Sequence, residues 1–220
     1  MTARLLTAAL LMLLLASCGG TAGRSSTAGA SSSAGVQGDT FEEDVQLAQT
    51  YTEQFWAAQF RSIGRVYRPI TEFIPYRGDK GPACGGEPAA SGNAFYCPEG
   101  HFIAYDKDWM EQLWKQLGDG STYLIIPHEI GHAVQAQLGT EFELNVQYEL
   151  QADCYAGAAL AGLVKADVLS AEPGDDKELM LNLQEAGDPD DDWFSPDAHG
   201  TAQQRQQAFT TGYTKGVGSC

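Results

Sequence analysis

The pentapeptide His-Glu-Ile-Gly-His (His128–His132) can act as a unit only if one α-helix carries it. Residues four apart on a helix share a face, with about 5–6 Å between their Cβ atoms. Pro127 stands directly before the first histidine, and proline in a helix interior costs about 3 kcal/mol. If the helix starts near Tyr123 or later, Pro127 falls in or close to its first turn, where the missing N–H has no partner anyway. If Ser121 caps the helix, a kink is expected. Both arrangements leave His128 through Gln135 helical.

A histidine pair so spaced suits two imidazoles on one tetrahedral Zn²⁺. Glu129 follows the first histidine, so it lies near such a metal without ligating it, where it can take the proton of a reacting water. The competing reading is two helix-face histidines and a surface glutamate. Zinc needs a third ligand, and the metzincin pattern fails because Gln135 and Leu138 stand where it needs glycine and histidine. The inverted motif is also absent. On the next predicted helix, "ELQAD" (Glu149–Asp153) places two acids four apart. Like charges at that spacing destabilise an isolated helix by a few tenths of a kcal/mol. On an otherwise Ala-rich helix the pair calls for positive charge opposite it. Zinc for Glu149 and a histidine Nδ1–H for Asp153 would supply it, the second fixing the tautomer of a metal-bound imidazole. The alternative is a solvated acidic face.

Three stretches taken together, "HEIGHAVQ" (His128–Gln135), "ELQADCYAG" (Glu149–Gly157) and "HGTAQQR" (His199–Arg205), resemble the bacterial putative neutral zinc metallopeptidase family. The resemblance spans about Asp39 to Cys220. It implies a gluzincin-like site with His128, His132 and Glu149 as ligands to one catalytic Zn²⁺ and Glu129 as general base. Members often carry a second histidine where this chain has Ala133, a position outside the ligand set. His199 opens the last predicted helix. It reads either as a catalytic histidine donating to an oxyanion or as part of a helix cap. Arg205 would orient His199 or pair with the Asp-rich loop. That loop, with Asp188, Asp190, Asp191 and Asp192, lacks the spacing and terminal glutamate of a calcium hand and reads as a solvated turn. His101 reads as structural.

The ends of the chain bear on location. Arg4 precedes an apolar run from Leu5 to Ala16, too short for a mature membrane span and suited to an export signal. "LASC" (Leu15–Cys18) resembles a bacterial lipobox, so residues 1–17 read as a lipoprotein signal peptide and Cys18 as the lipidated residue. The alternative is an ordinary cleaved signal with a stray cysteine. Residues 19–38 are nearly all Gly, Ser, Ala and Thr and read as a flexible linker, leaving 39–220 as one metallopeptidase domain. The other four cysteines, Cys84, Cys97, Cys154 and Cys220, allow three pairings. Cys84–Cys97, closing a Gly/Pro-rich loop, and Cys154–Cys220, tying the C-terminus to a helix, are favoured. A zinc-thiolate cluster would need a C-x-x-C spacing that the chain lacks. The net charge of −16 argues against nucleic-acid binding and against a polybasic membrane face, so membrane attachment would come from lipid.

Periodicity predicts a helix over Asp39–Phe60, an extended loop-rich stretch from Val66 past Pro75, and a strand at His101–Asp106, set at a sheet edge. Helices follow at Asp108–Gly118 with Asp108 as N-cap, through the histidine motif, over Glu143–Ala166, near Lys177–Ala186 and over Thr201–Phe209. The expectation is a mainly α domain with a small β-sheet (α+β) and a zincin-like site. The activity expected is zinc-dependent hydrolysis of a peptide or protein substrate in the cell envelope, on the extracytoplasmic face of a bacterial membrane, with substrate peptide added as a strand near Phe102–Tyr105. The rival reading is a non-catalytic zinc-binding envelope lipoprotein acting as a scaffold or binding module. Hydrolysis of a non-peptide amide in the cell wall is a third.

Overall fold

The computed structural model describes residues 35–220. The signal peptide, Cys18 and most of the linker lie outside the described residues. Helix α1 (Phe41–Ser62) is followed by strands β1 (Phe73–Tyr76), β2 (Ala94–Cys97) and β3 (Phe102–Asp106). Helices α2 (Lys107–Leu117), α3 (Gly120–Leu138), α4 (Asn145–Lys165), α5 (Asp175–Glu185) and α6 (Ala202–Lys215) complete the chain with a short 3-10 turn at Val217–Ser219. The class is α+β, mainly helical. Residues 35–38 belong to the packed unit. Val36 N–H donates to Val168 O at 3.0 Å, and Ser170 N–H donates to Val36 O at 3.1 Å.

Helix α3 is the axis of the core. Ile126, Ile130, Ala133 and Val134 on it are wholly buried, which anchors the histidine motif between α1 on one side and α4 on the other. The helix runs from Gly120 to Leu138 with Asp119 before it, so Pro127 lies in its interior rather than its first turn. Tertiary packing outweighs the local penalty here, since Pro127 is itself buried among the core residues of α3. Gly131 explains how close α4 can come: a Cβ there would sit 3.1 Å from Ala152 Cα. At Gly212, a Cβ would lie 1.8 Å from Cys154 O, so α6 packs its backbone directly on the small-residue face of α4. These two approaches bring three helices around one cleft.

The sheet has the order β1-β3-β2. β1 pairs parallel with β3 (Phe73 opposite Ile103), and β2 pairs antiparallel with it (Cys97 opposite Phe102). The strand expected at an edge is therefore central, because it pairs on both sides. Ile103 and Ala104, which point to opposite faces, are both fully buried. The edges are β1, which tolerates Pro75 for that reason, and β2, lying inside the loop closed by Cys84–Cys97. That disulfide and Cys154–Cys220 are both formed. Helix α2 starts one residue after its N-cap Asp106, not at Asp108. The Asp106 carboxylate instead accepts from Gly78 N–H (3.2 Å) and Gly92 N–H (2.9 Å), pinning both ends of the connection between β1 and β2. The last helix is longer than expected. Thr201 caps it through a reciprocal box with Gln204, and it continues to Lys215.

Candidate metal centre

The cleft between β2, α3 and α4 has a volume of about 880 Å³, and Phe95, Tyr96, Trp109, Tyr148 and Ile125 contribute to its walls. His128, His132 and Glu149 meet on its floor, each offering one ligand atom, with those atoms all within 4.8 Å of one another. The imidazole Nε2 atoms lie 3.1 Å apart. Glu149 Oε2 lies 3.2 Å from His128 Nε2, and Oε1 lies 3.4 Å from His132 Nε2. Glu129 is buried and lines the same cleft.

The far sides of both rings are already engaged. His128 Nδ1 is 2.8 Å from Asp153 Oδ1, and His132 Nδ1 is 2.9 Å from Gln135 Oε1. Both partners are oxygens that can only accept here, so each Nδ1 carries a hydrogen and each ring, in its neutral form, turns its Nε2 lone pair inward. Two lone pairs and a carboxylate then face one another in a buried space, an arrangement that a divalent cation satisfies and that costs energy without positive charge. The donor set, two imidazole nitrogens and a carboxylate with both imidazoles anchored from behind, fits zinc.

The same demand for positive charge shows in the electrostatics, where a second proton on an imidazole takes the place a cation would fill. Burial discourages charge on His128, but Asp153 and Glu149 outweigh it and push its pKa up to about 10. Burial also opposes charge on Glu149, yet hydrogen bonding to His128 and His132 holds its carboxyl well below the usual range. Asp153 is wholly buried. Burial would raise its pKa, but Arg205 first and His128 second hold it below the ordinary carboxylate value.

Arg205 accounts for that. Its Nε donates to Asp153 Oδ2 at 2.8 Å, its Nη2 to Asp153 Oδ1 at 2.9 Å and its Nη1 to Ala186 O at 2.8 Å. The expectation that Arg205 orients His199 or pairs with the Asp-rich loop is thus corrected. The guanidinium points inward from α6 and meets the buried Asp153 bidentately, which keeps His128's partner ionised. Sequence gave no sign of this, since 52 residues separate the two. Gln135 was also overlooked as a functional residue, although its place three residues after His132 puts it on the same helical face.

His199 lines the same cleft, but its side chain is half exposed and its Nδ1 stands 3.8 Å from Asp188 Oδ1. Asp188 Oδ2 accepts from the backbone N–H of His199 (2.7 Å) and Gly200 (2.8 Å), so one acid of the Asp-rich loop shapes the turn before α6. Asp191 accepts from Gln204 Nε2 at 2.9 Å, while Asp190 and Asp192 are exposed. His101 is buried; its Nε2–H donates to Arg68 O (3.0 Å) and its Nδ1 accepts from Tyr96 O–H (2.9 Å), a role in holding β2 and β3 to the preceding loop. Ala133 is buried away from solvent.

A family profile described as "Putative neutral zinc metallopeptidase" matches residues 5–220. The chain belongs to that family. Among curated relatives, it is 33% identical over 190 residues to the uncharacterized protein YpfJ of Escherichia coli (strain K12), covering 75% of this chain and 65% of that protein. It is 35% identical over 191 residues to the uncharacterized protein Rv2575 of Mycobacterium tuberculosis, covering 70% of this chain and 64% of that protein. The match thus spans a little under two thirds of these relatives. No solved structure matches the chain. Membership in this zinc family and the converging His128, His132 and Glu149 point to the same ion.

Proposed function

We propose that this chain is a lipid-anchored, extracytoplasmic zinc metallopeptidase that hydrolyses peptide bonds in envelope proteins or peptides. The observation that carries the reading is the inward convergence of the His128 and His132 Nε2 atoms on both Glu149 oxygens, with Glu129 in the same cleft. His128, His132 and Glu149 would hold the zinc. When bound, the ion supplies Lewis-acid polarisation of a carbonyl and acidifies water. Glu129 takes the proton from the attacking water and delivers it to the leaving amine. Asp153 and Gln135 hold the two imidazoles in the tautomer that leaves Nε2 free to ligate. His199, at the cleft wall, donates to the oxygen that gains charge.

The unpaired edge of β2 supports a peptide substrate. Ala94, Phe95 and Tyr96 line the cleft, and only one side of that strand is paired among the described residues. An extended peptide adding there would gain main-chain hydrogen bonds beside Glu129, so the docking edge is β2 and not Phe102–Tyr105. Two or three acyl chains on Cys18 would hold the domain at the membrane, at about 0.8 kcal/mol per buried methylene. The test is Glu129→Gln, profiled with a peptide library beside wild type. Stoichiometric zinc with cleavage abolished is the expected result. Cleavage at the wild-type rate would remove Glu129 from the role of base.

A further inference from the structure

Amide side chains can be read in either orientation, and the one Gln135 takes decides how His132 behaves. Gln135 Nε2 donates to Tyr148 O at 2.8 Å and to Gln151 Oε1 at 3.1 Å. Tyr148 O is a backbone carbonyl and can only accept. Gln151 is oriented in turn, because its Nε2 donates to Cys220 O at 3.1 Å, another main-chain oxygen that only accepts, which leaves Gln151 Oε1 toward Gln135. Both contacts therefore demand the NH₂ end of Gln135 on the α4 side. Its oxygen is left for His132 Nδ1 at 2.9 Å, and an oxygen there obliges His132 to carry its hydrogen on Nδ1. Gln135 is buried, so water does not compete for these bonds. The chain of bonds ends at a residue that is itself fixed, since Cys220 is joined to Cys154 of α4.

We propose that Gln135 and Gln151 form an oriented amide relay whose role is to position His132 for metal binding, setting its tautomer from the main-chain oxygen of Cys220. This inference rests on the reading of His128, His132 and Glu149 as the metal site. Gln135 is a positioning residue that acts through His132. Gln151 acts one step further back, through Gln135, and the two are expected to act as one unit rather than as two independent packing contacts.

The test is a double-mutant cycle on zinc affinity in the full chain, using Gln135→Met, Gln151→Met and both together, with thermal melts of each. Met keeps the length of the side chain and removes every hydrogen bond. Gln135→Met is expected to weaken zinc binding about 10–100-fold, the usual cost of losing a partner behind a metal-bound histidine. Gln151→Met should weaken it less, and the double variant should match Gln135→Met alone. The visible absorption of the cobalt-substituted protein should change in Gln135→Met, a signature that loss of packing far from the metal would not produce. A zinc affinity for Gln135→Met within two-fold of wild type would overturn the proposal. So would fully additive effects of the two single changes. A chain in which wild type itself binds no zinc would instead refute the metal site, so the two failures are distinguishable.

Discussion

Two regions of this molecule draw carboxylates out of water, and they manage the cost in opposite ways. In the cleft two buried acids face positive charge or a ring that can carry it: Asp153 lies between Arg205 and His128, and Glu149 between His128 and His132. Both are held below the ordinary carboxylate range. Where α1, α3 and α5 meet, Asp44 is wholly buried and its carboxylate accepts, among the described residues, from the neutral donors Trp114 Nε1–H at 2.8 Å and Tyr123 O–H at 2.9 Å. Asp119 beside it accepts a long contact, 3.5 Å, from Gln37 Nε2. Its pKa is pushed up to about 6, by burial first and then by Asp44 and Glu178. This second region borders a cavity of about 440 Å³ walled by Leu160, Leu179, Phe209 and Tyr213. At Asp153 and Glu149 the partners that orient ligand atoms also favour the ionised form, whereas at Asp119 the surroundings oppose it.

The contrast breaks most readily at Arg205. Arg205→Met leaves Asp153 buried without its guanidinium, and breaking a buried pair from one side costs about 3–5 kcal/mol. Urea unfolding should show a loss of that size, and one below about 1 kcal/mol would mean that the pair does not hold this part of the fold. Asp153→Asn tests the other partner. It keeps the shape but offers His128 a weaker, uncharged acceptor, and zinc affinity should fall about 10–100-fold. Competition with a chromophoric chelator would measure it, and an unchanged affinity would detach Asp153 from the metal.

The smallest effect belongs to the other region and has the opposite sign. The raised pKa of Asp119 means that the folded chain binds more protons than the unfolded one between about pH 4 and 6. Stability from this group is therefore lost as pH rises through that window. Asp119→Asn removes the penalty, so at pH 7 it should raise the melting temperature by about 1–3 °C. The gain should vanish below about pH 4, where both side chains are neutral. Melts across pH 3.5–7.5 check this, and a destabilised variant at pH 7 would show that the ionised form is favoured after all.

Local rules made much of this legible. The four-residue spacings within His128–His132 and Glu149–Asp153 put each pair on one helical face, and the side chains that meet in the cleft could be named from them. Cysteine positions suggested the two disulfides that form. What the sequence hid depends on long-range pairing. The strand order sets β3 between two partners, and nothing within "HFIAYD" tells a central strand from an edge. Arg205 reaches Asp153 across 52 residues, and Gln135 finds its oxygen's direction only from Tyr148, Gln151 and Cys220 on other elements. Pro127 was ambiguous because local preference argued for a helix start, whereas burial of α3 on both sides carries the helix through it.

The central claim is that His128, His132 and Glu149 form one zinc site, and zinc stoichiometry tests it most directly. The purified full chain is dialysed against micromolar zinc and its metal content measured for wild type, His132→Ala and Glu149→Ala. The account predicts one tightly held zinc per wild-type chain and loss of that zinc in both variants. Stoichiometric zinc retained by both variants, or none held by the wild type, would contradict it.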